Sequence, residues 1–187
     1  MNNKLYISLI VLFTIIGVYF LNVKSQKNYE SSSKNLFDIK QDDIKKFIIQ
    51  NSSDAIEIIK HDTSWHIAGH DSLTIKKQIL DNFLNKTMNL KIQNTMTTKE
   101  EKWSKFNVDD SAGTHLALID WNDKTLGYFV FGRSNSDYQR CYVRNNQSSN
   151  VYLLNENIVF SLQTRPEYWG EKIKVDDGLE SMLEIPQ

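Results

Sequence analysis

THLALIDWNDKTLGYFVFGRSNSDYQRCYVRNNQSSNVYLL, residues 114–154, decides the fold. Four apolar runs rich in β-branched and aromatic residues lie at Thr114 to Asp120, Thr125 to Phe131, Tyr138 to Arg144 and Val151 to Leu154. Such runs are strand material. The connectors at 121–124, 132–137 and 145–150 are short and consist mostly of Asn, Asp, Ser and Gly. Turn chemistry between consecutive short strands predicts an antiparallel meander. Gly132-Arg133-Ser134 reads as part of a turn, because the lysine and helix start of a phosphate loop are missing.

Upstream, the apolar clusters shorten. Phe47 to Ile49 and Ala55 to Ile59 flank Asn51-Ser52-Ser53-Asp54 and predict a hairpin. Asp62-Thr63-Ser64 is a second turn, leading into a strand at Trp65-His66-Ile67. From Leu73 the apolar positions Ile79, Leu80, Phe83, Leu84 and Met88 recur at helical spacing. The expected helix runs to Met88, with Asp71 or Ser72 as its cap. A short strand is expected at Leu90 to Ile92, and a helical turn or two at Lys99 to Lys105. Downstream, Asn157 to Leu162 reads as helical, interrupted by Pro166, and the tail is acidic. The expected fold is therefore α+β: a mostly antiparallel β-sheet with two or three helices. Three strands and a helix followed by four strands and a helix is the order that a degenerate β-β-β-α duplication would leave.

The chain opens differently. LYISLIVLFTIIGVYFL, residues 5–21, carries no charge, with Lys4 before it and Lys24 after it. A helix of this length spans roughly 25 Å, the short end of what crosses a bilayer. A cleaved signal peptide wants small residues at the cut, and Leu21-Asn22-Val23-Lys24-Ser25 lacks an Ala-x-Ala-like site. The preferred reading is an N-terminal transmembrane helix that stays in place, with cleavage near Ser25 as the alternative. The sole cysteine, Cys141, does not follow the run, as a lipoprotein would require. Basic residues on the two sides nearly balance. The very short leading tail favours a cytoplasmic N-terminus and an extracytoplasmic domain. The organisation is then an anchor over residues 1–24, a serine-rich spacer over 25–35, a folded domain over 36–175 and an acidic tail over 176–187.

Composition narrows the function classes. The 187 residues hold 22 basic and 23 acidic side chains, for a net charge of −1, so no basic excess points to nucleic acid. A single cysteine excludes an intrachain disulfide.

The landmarks resemble the family called domain of unknown function DUF4340. They are the Trp65-His66-Ile67 strand before a helix, the Phe106-Asn107-Val108 step, Leu126 to Gly132 (LGYFVFG), Tyr142-Val143-Arg144 and Val151-Tyr152-Leu153. The chain departs from the family at Phe106-Asn107-Val108, where a Gly is usual. The resemblance implies a bacterial envelope protein with one N-terminal membrane segment. It implies association with ABC-type transporter subunits and auxiliary proteins, including some linked to gliding motility. It implies no catalytic residue and no cofactor.

Tyr138, Arg140, Tyr142 and Arg144 alternate, and a strand period of two would place them on one face. Arg and Tyr together suit a protein partner, a glycan or another anion. A solvated sheet face is the plainer reading. His61, His66 and His70 flank turns, without the spacing of a zinc motif. Cys141, with His115 as a conceivable base, sits mid-strand and is expected in the core. Asp42-Asp43, Asp109-Asp110 and Asp176-Asp177 are adjacent pairs whose side chains point apart, so none is an acid–base dyad by spacing. Trp103, Trp121 and Trp169 are candidate recognition aromatics, whereas Trp65 is expected in the core and the plainer reading of Trp169 is that it packs the final segment down. The expectation is a non-enzymatic, membrane-anchored accessory or scaffold protein, with the lipid bilayer and ABC transporter subunits as partners and no metal. The alternative is an extracytoplasmic module that binds a glycan or other anionic envelope component.

Overall fold

The computed structural model describes residue 16, residues 34–135 and residues 137–172. The chain divides into two units, Met1–Lys34 and Asn35–Gln187. The apolar run 5–21, apart from Ile16, and the acidic tail lie outside the described residues. Among the described residues no helix is long and apolar enough to cross a membrane.

The folded unit is α+β and dominated by antiparallel pairing. Its strands are β1 (Lys34–Asn35), β2 (Lys46–Gln50), β3 (Ala55–His61), β4 (Ser64–Ile67), β5 (Leu73–Ile75), β6 (Lys91–Thr97), β7 (Thr114–Ile119), β8 (Thr125–Arg133), β9 (Cys141–Asn145), β10 (Val151–Leu154) and β11 (Gly170–Lys172). Helix α1 spans Lys77–Met88 and α2 is a single turn at Pro166–Trp169. One nine-stranded sheet has the order β1-β6-β10-β9-β8-β7-β2-β3-β4, and β5 with β11 makes a separate two-stranded piece. The meanders β2-β3-β4 and β7-β8-β9-β10 meet through their first strands, which pair antiparallel from Lys46↔Ile119 to Gln50↔His115.

Period-two alternation gives the sheet two faces. Phe47 and Ile49 of β2, Leu116 and Leu118 of β7, Phe129 and Phe131 of β8, and Cys141 and Val143 of β9 point to the main core. Leu80, Phe83 and Leu84 of α1 cover that face. Trp169 is fully buried and meets Phe83 and Phe47 edge-on at 5.1 and 5.6 Å. Its Nε1 donates to the Gln163 carbonyl at 2.7 Å, so the last described segment is packed down as expected.

Local chemistry explains the turns. Asn51 Oδ1 accepts from the Ser53 and Asp54 amides at 3.0 and 2.8 Å, closing the β2–β3 hairpin. Asp62 adopts φ 52° in the tight β3–β4 turn, a left-handed conformation that Asp tolerates.

Several expected boundaries move. The helix does not begin at Leu73, and neither Asp71 nor Ser72 caps it. Leu73–Ile75 instead pairs with Gly170–Lys172, far along the chain, and α1 starts after Lys76 without a side-chain cap. The Lys76 amide and Nζ donate to the Trp169 and Glu167 carbonyls at 2.8 and 2.6 Å. A tertiary contact thus replaces the local cap. β6 extends to Thr97 because β10 pairs along it. Gly132 and Arg133 belong to β8 rather than to a turn. Asn157 to Leu162 forms only a 3-10 turn at Val159–Ser161, and Pro166 opens α2 rather than ending a helix.

Candidate functional site

The four alternating residues do not share a strand face. β9 begins only at Cys141, which pairs with Arg133, so residues 137–140 precede the strand in a loop and lie outside its period. Asp137 organises that loop. Its Oδ1 accepts from the Gln139 amide at 2.9 Å and its Oδ2 from Arg140 Nε at 2.6 Å. These donors hold the carboxyl below its usual range, the Gln139 N–H foremost.

Arg144 and Tyr142 share the face of β9 turned away from the main core, and there they enter a second, smaller core. Phe106, Val108, Val130 and Val151 form it, with Trp103, Tyr128 and Tyr142 packed around them. The covering segment is a 3-10 helix at Glu100–Phe106, where a helical turn was expected, followed by Asn107 at φ 54°. It lies so close to β8 that a Cβ on Gly132 would fall 2.1 Å from the Phe106 carbonyl oxygen. Arg144 is 1 % exposed. Its Nε donates to the Val108 carbonyl at 2.5 Å, and an Nη bonds Asp110 Oδ1. Its guanidinium lies 4.0 Å from the centre of the Trp103 ring. Trp103 Nε1 in turn donates to the Ser149 carbonyl at 3.0 Å. Tyr128 and His115 extend the network through a 2.7 Å contact, while the other His115 nitrogen meets the Asp110 carbonyl at 3.1 Å. Burial raises the Tyr128 phenol. This arrangement braces the 100–113 segment against the sheet and leaves little of Arg144 for a ligand.

Tyr138 and Arg140 remain on the surface. Tyr138 is 78 % exposed and Arg140 makes a second bond to Gln93 Oε1 at 3.1 Å. Asn157 Nδ2 donates to the Tyr138 carbonyl at 3.0 Å, tying the loop to the segment that carries Phe160, itself 51 % exposed. Sequence reasoning missed Phe160, because an aromatic beside Ile158 and Val159 reads as core.

The other candidates are placed as follows. His61, His66 and His70 are exposed, and the first two rings are 5.7 Å apart. Among the described residues no group of three or more His, Cys, Asp or Glu is arranged to hold a metal ion. Cys141 is fully buried, donates to the Glu156 carbonyl at 3.3 Å, and has its thiol pushed by burial up to about 12. His115 is engaged by Tyr128 rather than by this thiol. Asp109 and Asp110 diverge as expected. Asp109 accepts from Ser111 and Ala112, which lowers its carboxyl range, while Asp110 pairs with Arg144. Trp121 is 45 % exposed and donates to the Asp42 carbonyl at 3.1 Å.

Comparison with known proteins agrees with these landmarks. No curated protein and no solved structure matches the chain. The family model described as "Domain of unknown function (DUF4340)" matches residues 65–173, more than half of the sequence. That range runs from the Trp65 strand through the Arg144 brace to the end of β11, and the chain belongs to the DUF4340 family.

Proposed function

We propose that this chain is a membrane-anchored, non-enzymatic scaffold of a bacterial envelope complex, serving as an auxiliary component beside an ABC-type transporter. The apolar run 5–21 supports the anchor, with the N-terminus in the cytoplasm and the folded unit outside it; the spacer is shorter than 25–35, because Lys34 and Asn35 already belong to β1. The pairing of two meanders through their first strands supports an ancestral duplication. One observation carries the functional reading: Tyr138, the most exposed of the large apolar side chains described, stands on a loop held by Asp137 and Asn157, with Arg140 beside it. Tyr and Arg on a pre-ordered loop are the residue types that dominate partner contacts, because they present large contact area at little entropic cost. Confinement to a membrane raises the effective concentration near a partner, so a small surface suffices.

Affinity purification of the full-length chain from solubilised membranes tests this reading. The native chain is expected to retain a transporter subunit, and Arg140→Glu is expected to reduce that recovery at least about tenfold. Equal recovery with Arg140→Glu would remove the loop from the contact.

A further inference from the structure

At one end of the sheet, where β2 stops and β7 starts, a cleft of about 480 Å³ opens between the 107–114 loop and the 159–164 segment. Its polar lining includes Asn51, Asn107, Arg133, Asn135, Gln163 and Thr164, and among the described residues no carboxylate and no lysine faces it. The amides and hydroxyls are held with hydrogen-bonding capacity left over. Thr164 Oγ1 accepts from Asn51 Nδ2 at 3.1 Å, leaving its own O–H to donate. Gln163 Nε2 donates to the Phe160 carbonyl at 3.0 Å and Asn107 Nδ2 to the Arg133 carbonyl at 3.3 Å, which leaves both side-chain oxygens to accept. Arg133 stacks over the Phe160 ring at 5.1 Å and makes no ion pair among the described residues.

A planar guanidinium held on a ring, with its N–H fork unpaired, suits one carboxylate bidentately. Interspersed neutral donors and acceptors suit an array of hydroxyls. The volume admits a small sugar and lies within the usual range for ligand sites. We propose that this cleft binds a saccharide bearing a single carboxylate, with Arg133 taking the carboxylate and Asn107, Gln163 and Thr164 taking ring hydroxyls. A free phosphate would meet a single cation here, whereas the neutral donors and acceptors would go unused, so the lining favours the sugar acid. The proposal goes beyond partner contact. Tyr138 and Arg140 do not line the cleft, so either reading can fail without the other.

Isothermal titration calorimetry of the full-length chain in lipid nanodiscs, with D-glucuronate as probe, tests it. Glucuronate is expected to bind, with glucose, acetate and inorganic phosphate each at least about tenfold weaker. Arg133→Gln is expected to bring glucuronate down to the level of glucose, and Gln163→Ala and Thr164→Val to weaken both sugars together. Absence of glucuronate binding, phosphate or acetate binding as tightly as glucuronate, or unchanged affinity in Arg133→Gln with an intact circular dichroism spectrum would each overturn the assignment.

Discussion

Arg144 is 1 % exposed, while the side chain of its partner Asp110 keeps 80 % of its surface in water. The two halves of this ion pair therefore have unequal roles. Arg144 satisfies the Val108 carbonyl and fills the second core, whereas an unpaired Asp110 is readily hydrated. Arg144→Ala is expected to cost about 2–4 kcal/mol, from lost packing and an orphaned carbonyl. Asp110→Asn is expected to cost about 1 kcal/mol or less. Urea midpoints of the two variants check this, and equal midpoints would contradict the asymmetry. The other face of β9 carries Cys141, with its thiol raised to about 12. A raised acid favours the folded state while both forms are protonated. Its contribution is lost as pH climbs from the ordinary value of 9.0 toward about 12, where the unfolded thiol ionises first. Native Cys141 is expected to resist iodoacetamide at pH 8 and to react only in denaturant, as mass spectrometry would record; rapid native alkylation would contradict its burial. The core placement of Cys141 followed from its strand alternation with Val143. The burial of Arg144 did not, because alternation marks a face without telling whether water or another segment covers it.

The elements were legible where their causes are local. The β2–β3 hairpin and the runs of β7, β8 and β10 announce themselves through alternation and turn residues. The start of α1 was hidden because its partner, the end of α2, lies some ninety residues away in sequence. The beginning of β9 was misplaced because Asp137 pulls residues 137–140 into a turn that the tyrosine–arginine alternation disguises. Within α1, Thr87 is fully buried and its hydroxyl has no hydrogen-bond partner among the described residues. Such a group carries a desolvation cost without return. Thr87→Val keeps the shape and β-branching and is expected to raise stability by about 1 kcal/mol, read as a higher urea midpoint at an unchanged slope. A loss of more than about 1 kcal/mol would show that the hydroxyl is satisfied.

At the scale of the molecule, β2 lies in the interior of the sheet between β7 and β3, although the family match begins only at Trp65. The folded unit therefore reaches upstream of that match, and β2 supplies Phe47 and Ile49 to its main core. The α+β class and the meander were readable in advance, since both rest on short-range patterning. The surface chemistry was only half readable: Tyr138 stands exposed, Arg140 is half-buried beside it, Arg144 became a brace, and the Arg133 cleft arises from strand ends that only the sheet order brings together. The central claim is that a membrane-tethered domain engages its partner through the Tyr138 loop. The most direct measurement is photo-crosslinking of the full-length chain in intact cells, with p-benzoylphenylalanine placed at Tyr138 or, as a control, at exposed Trp121. A discrete adduct with a membrane transporter subunit from position 138, and none from position 121, is the expected result. No adduct at 138, or the same adduct from both positions, would contradict it.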